Sequence, residues 1–142
     1  MWIVLAFFMI WCSIFGLNSE PKMLTDLKDR YRRVLELLKK NGDPIWKPVL
    51  SPAILTGIYG KKDGVIGSNV NKGYEIYICL DGGDVNSAMY VLIHELAHMT
   101  VPEYDHSTKF WDNFKKLKDL CEQNDLYMKS GTRKYCGETI TE

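Results

Sequence analysis

The hydrophobic pattern changes character four times along the chain. Residues 1–17 carry no charge and are dense in Trp, Phe, Ile, Leu and Val. As a helix, such a run reaches roughly 26 Å, the short end of what can cross a bilayer. It is expected to be an N-terminal hydrophobic helix acting as a transmembrane anchor. A cleaved signal segment is the alternative, although no basic residue opens the run and no A-x-A-like triplet closes it. From residue 22 to 41 the period becomes helical, with Leu24, Leu27, Tyr31, Val34, Leu35 and Leu38 three or four apart, until Gly42 and Pro44 stop it. Pro44, Pro48 and Pro52 then predict an irregular connector over 43–52.

Ile54–Tyr59 and Tyr74–Leu80 are β-branched and aromatic runs separated by Gly60, Gly64, Gly67 and Gly73. They predict two or three antiparallel strands, with Val65 and Ile66 in the middle one. After Asp81-Gly82-Gly83-Asp84, residues 85–99 are almost wholly apolar apart from Asn86, Ser87, His94, Glu95 and His98, as in a helix buried on most sides. A last helix, capped by Asp105 or Ser107, is expected to run to about Asn124 with Phe110, Phe114, Leu117 and Cys121 on one stripe. The tail beyond Asp125 reads as irregular or as a short strand. The order of elements gives an α+β fold: an antiparallel sheet, a buried helix and a following C-terminal helix, preceded by the hydrophobic segment.

At 142 residues the chain has room for one serious core, so residues 18–142 are expected to form a single domain. Lys plus Arg and Asp plus Glu balance at 18 each, which gives no electrostatic footprint for nucleic acid. Locally, residues 22–40 hold seven basic residues against three acidic ones. The positive-inside rule would leave the domain on the cytosolic side of a single-pass membrane protein, with secretion after signal cleavage as the alternative. A solvated helix face accounts for the same charges. Cys12, Cys79, Cys121 and Cys136 lack C-x-x-C spacing, which points to free or buried thiols; a Cys121–Cys136 bridge is the other possibility.

The chemistry concentrates in His94-Glu95-Leu96-Ala97-His98. Residues four apart on a helix lie on one face, so both imidazoles can reach one ion, while Glu95 is a step round and close enough to touch a water bound to it. The chain's other histidine is His106, which follows a seven-residue gap containing Pro102. A catalytic site needs three protein ligands and one open position, and His94, His98 and His106 supply the three.

The stretch VLIHELAHMTVPEYDHSTKFW, from Val91 to Trp111, resembles the minigluzincin metallopeptidases, the WLM, SprT-like and YgjP-like families. Their third ligand lies in an H-x-x-x-F-W type element, matched here by His106 through Trp111. IYICL, Pro102-Glu103 and Tyr135-Cys136-Gly137 extend the resemblance, over roughly residues 74–140, to small metallopeptidases of large DNA viruses. It implies a zincin-like domain holding one Zn2+ ion through His94, His98 and His106. Glu95 would be the catalytic base that activates a metal-bound water against a peptide bond of a peptide or protein substrate. It further implies a substrate laid along the Tyr74–Leu80 strand at the sheet edge. Tyr104, Tyr135 or Arg133 would steady the oxyanion, and Glu103 and Asp105 are candidates to bond the outer histidine nitrogens. Cys136 could approach the ion as a thiolate. The competing function is a membrane-tethered metal-binding module without catalysis.

Overall fold

The computed structural model describes residues 20–142 apart from Asp63, Lys72, Glu103 and Tyr104. Helix α1 (Lys22–Asn41) leads into a short 3-10 helix (Pro44–Val49), then strands β1 (Ile54–Ile58), β2 (Gly67–Val70) and β3 (Glu75–Cys79). Helices α2 (Val85–His98) and α3 (Thr108–Gln123) follow, and a hairpin of β4 (Arg133–Tyr135) and β5 (Glu138–Ile140) closes the described chain.

Every apolar position of the α1 stripe is buried, and the helix ends where Gly42 takes a left-handed φ of 75° and donates its N–H to the Leu38 carbonyl at 3.2 Å. The expected irregular connector is corrected here. Asp43 accepts from the Ile45 N–H at 3.0 Å, Pro44 occupies the first turn, and Trp46 and Val49 are driven into the core. A 3-10 turn tolerates these prolines because its few internal bonds leave most N–H positions uncommitted.

The sheet also departs from expectation. Its order is β1-β3-β2, with β1 parallel to β3 and β2 antiparallel to β3, so it is mixed, not antiparallel. The strand expected around Val65 and Ile66 lies further on, at Gly67–Val70, and it is an edge strand. Conversely, the Tyr74–Leu80 segment supplies the central strand. Burial gives the reason: Ile76 and Ile78 of β3 are completely buried beneath the helices, whereas the sequence of β2, Gly-Ser-Asn-Val, has little to bury. α1 packs on β1 and α2, while α2 packs on β2, β3 and α3.

The tail is more ordered than expected. Cys136 and Gly137, with φ of 50° and 79°, form the two-residue turn of the β4–β5 hairpin, the all-positive geometry that matches strand twist. The thiol expectations are corrected too. Cys136 is bridged to Cys79 at the end of β3, and among the described residues Cys121 is the free, buried cysteine. This pairing spans 57 residues of sequence and follows from β3 lying under the hairpin, a tertiary fact that spacing does not encode.

The membrane placement is corrected as well. Among the described residues no helix is long and apolar enough to cross a membrane, which conflicts with the expected single-pass protein. Residues 1–17, on which that expectation and the hydrophobic helix rested, lie outside the described residues.

Candidate metal centre

The α2 helix begins at Asp84, whose side chain accepts from the Asn86 N–H at 3.0 Å, and its last turn carries the HELAH segment. The i, i+4 spacing stacks His94 over His98 with ring centroids 5.0 Å apart. The chain leaves the helix at Met99, turns, and starts α3 at Thr108, where Ser107 caps by accepting from the Phe110 N–H at 3.2 Å. That cap fixes the residue just before it. His106 comes back to within 5.1 Å of the His94 ring and 4.9 Å of the His98 ring.

One potential ligand atom from each imidazole can be chosen so that all three lie within 4.8 Å of one another. The Nε2 atoms of His94 and His106 are 3.2 Å apart. Two nitrogens bound at zinc–nitrogen distances in a tetrahedral arrangement would be separated by roughly 3.3 Å. The three-imidazole donor set, and the spacing of this pair within it, therefore fit a tetrahedral divalent ion.

Three aromatic side chains from the first turns of α3 hold the imidazoles in place. Phe110 stacks on His98, with centroids 4.3 Å apart and planes at 29°, and meets His94 edge-on at 5.1 Å. Trp111 stacks on His106 at 5.4 Å, and Phe114 meets His94 edge-on at 5.7 Å. Sequence reasoning placed Phe110 and Phe114 on a core stripe but missed this packing. The signal was available in the i, i+1, i+4 grouping of aromatics just after His106. Asn113, also missed, donates to the Thr100 hydroxyl at 2.9 Å, and Thr100 in turn donates to the Ala97 carbonyl at 2.7 Å, tying α3 to the end of α2.

Burial, and then the neighbouring imidazoles, pushes the His94 pKa down to about 4. The ring is therefore neutral at physiological pH, with a lone pair to offer. Glu95 is only 7 % exposed, and burial pushes its carboxyl up to about 7. It is wedged against the edge strand. A Cβ added to Gly67 would run into Val91 and stand 3.3 Å from Glu95 Oε1. Asn69 donates from Nδ2 to the Glu95 carbonyl at 3.2 Å, fastening β2 to this turn of α2.

The remaining candidates fare differently. Arg133 is committed to Ser87 at 2.8 Å, the Gly131 carbonyl at 2.9 Å, and Glu142 and Tyr127 at 3.2 Å each. The Tyr135 hydroxyl donates to the Cys79 carbonyl and is buried. Neither group is available to an oxyanion at the imidazole cluster. Cys136 is engaged in its disulfide instead of approaching the histidines. Asp105 is exposed, while Glu103 and Tyr104 lie outside the described residues.

A WLM domain matches residues 20–141. The chain is also similar to a protein of Acanthamoeba polyphaga mimivirus, "Uncharacterized protein R325", at 36 % identity over 83 residues. That match takes in 51 % of this chain but 42 % of the viral protein, so less than half of the relative's length is represented. The similarity accords with the link to large DNA viruses that the motifs suggest. No solved structure matches. With the match running almost from end to end of the described residues, this chain belongs to the WLM domain family, a zinc metallopeptidase-like family.

Proposed function

We propose that this protein is a zinc-dependent metallopeptidase in which His94, His98 and His106 hold one ion and Glu95 is the general base. The observation that carries the reading is the convergence of three imidazoles with a buried, raised-pKa carboxyl on the next residue after the first of them. The bound ion would polarise a scissile carbonyl and acidify a water. Glu95 would take the proton of the attacking water and hand it to the departing amine; a carboxyl with pKa near neutrality suits both halves of that exchange. A site that merely stabilises a fold needs neither the carboxyl nor an open coordination place, and such sites usually close with four ligands.

The sheet register supports a path for an extended substrate along β2. The Ile66 carbonyl accepts from the Cys79 N–H at 2.8 Å and Ser68 lies opposite Tyr77, so alternate residues of β2 face β3. Antiparallel alternation then turns the N–H and C=O of Gly67 and Asn69 to the free edge, where an extended peptide could add as a further strand. This role passes to β2 from the central strand β3.

The test is a Glu95→Gln variant of the full chain, assayed for bound zinc and for cleavage of a peptide library with and without chelator. Zinc content at the parent level with cleavage reduced by about 10²- to 10⁴-fold is expected. Unchanged cleavage by this variant would rule out the base.

A further inference from the structure

Beside the imidazole cluster is a cleft of about 440 Å³, which extends from His94 and Glu95 and is not lined by His98 or His106. One wall is the Val65–Gly67 edge, the floor is the Tyr90–Val91 turn of α2, and Trp111 of α3 stands at the side. The β4–β5 hairpin lines it as well, through Glu138, Thr139 and Ile140, with Thr141 just beyond. Among the described residues no lysine or arginine lines the space, and its second carboxylate, Glu138, is already paired with Lys61. Val65 and Trp111 remain 44 % and 46 % exposed, an uncovered apolar surface at the mouth. The volume is in the range of pockets that enclose small organic groups.

The position of Glu95 orients a substrate relative to this cleft. The group that delivers a proton to the departing nitrogen must lie on the side of the residue owning that nitrogen. A cleft that opens beside Glu95 therefore faces the side chain of the residue immediately after the scissile bond.

We infer that this cleft is the subsite for an apolar side chain of that residue, with Thr139 and Ile140 of the hairpin as its specificity-determining wall. The inference rests on the peptidase reading and adds the substrate class. The hairpin suits this role because three contacts anchor it, two of them to Cys79. Cys136 is bridged to Cys79, the Tyr135 hydroxyl donates to the Cys79 carbonyl, and Glu138 pairs with Lys61. A wall held this firmly selects by shape and polarity.

The experiment uses hydroxamic acids that chelate the metal and carry one variable side chain where the residue after the scissile bond would sit. Isobutyl, benzyl, methyl, carboxymethyl and aminobutyl forms are compared on the zinc-loaded full chain by thermal shift and titration calorimetry. Turnover is not needed, so a failure of the Glu95 mechanism leaves this readout intact. Isobutyl and benzyl should bind about ten- to a hundredfold more tightly than methyl, with carboxymethyl weakest. Thr139→Trp, which fills the cleft from the exposed side of β5, should erase the benzyl advantage while leaving the methyl compound little changed. Val65→Asp, in the segment before β2 that also lines the cleft, should weaken both large apolar forms without touching the hairpin. Equal affinities across the series, a preference for either charged form, or an unaltered ranking in both zinc-loaded variants would overturn the subsite.

Discussion

Gly67 shows how one missing side chain sets the distance between the free edge strand β2 and the buried Glu95 carboxyl. Any Cβ there meets Val91 and crowds Glu95, so the strand can lie against α2 only while the position is glycine. Gly67→Val should cost about 1–3 kcal/mol by overpacking and reduce cleavage further, because β2 must swing off Glu95. Urea melts of the zinc-loaded protein check the first effect, and kcat/KM on a single peptide checks the second. Glu142 makes a different residue-scale case. Burial pushes its carboxyl up, but donors from Tyr127, the Ser130 N–H and Arg133, with the charge of Lys118, outweigh burial and hold it below the ordinary glutamate range. A depressed folded-state pKa stabilises above the unfolded value, near 4.3, and that contribution disappears as pH falls through the lower folded value. Unfolding free energies measured from pH 7 down to pH 3 should fall more for the parent than for Glu142→Gln. Parallel curves would show that the carboxylate is not coupled to folding.

At the scale of elements, the β4–β5 hairpin would be a marginal structure if it stood alone, since three-residue strands bury little. The Cys79–Cys136 bridge closes a long stretch of chain and so takes more entropy from the unfolded state than from the folded one. Replacing both cysteines by serine should cost about 2–4 kcal/mol. A non-thiol reductant that leaves zinc in place should lower the parent's melting temperature and leave the double variant unmoved. This bridge also marks where sequence reasoning stops. The helices were legible because their signals are local: the α1 stripe with its Gly42 stop, and the Ser107 cap ahead of Phe110. The imidazole cluster was legible for the same reason, since two of its members share one helical turn and the third is twelve residues beyond the first. By contrast, the parallel β1–β3 pairing, the insertion of β3 between β1 and β2, and the partner of Cys136 depend on contacts between distant segments. Alternation within a strand reports which face is buried, but not which neighbour lies alongside.

For the whole molecule, the question is whether the ion would build the fold or only use it. The core runs from Leu27 and Val34 of α1 through Ile76 and Ile78 of β3 to Leu92, Leu96, Phe110 and Leu117, and all of these are fully buried. His94 and His98 are only partly buried and His106 is exposed, so the cluster sits at the rim of that core. Small domains in which metal replaces a core unfold when it is removed. Here the apolar core should survive chelation, and the ion should add only the stabilisation that any ligand of the native state provides, about 3–4 kcal/mol at free zinc 100 to 1,000 times its Kd. Chelator treatment is therefore expected to abolish peptide cleavage and lower the melting temperature while far-UV circular dichroism at 25 °C stays unchanged, and adding zinc back should restore both losses. Loss of helical signal on chelation would instead place the ion among the elements that hold the chain together, and would favour a structural metal over a catalytic one.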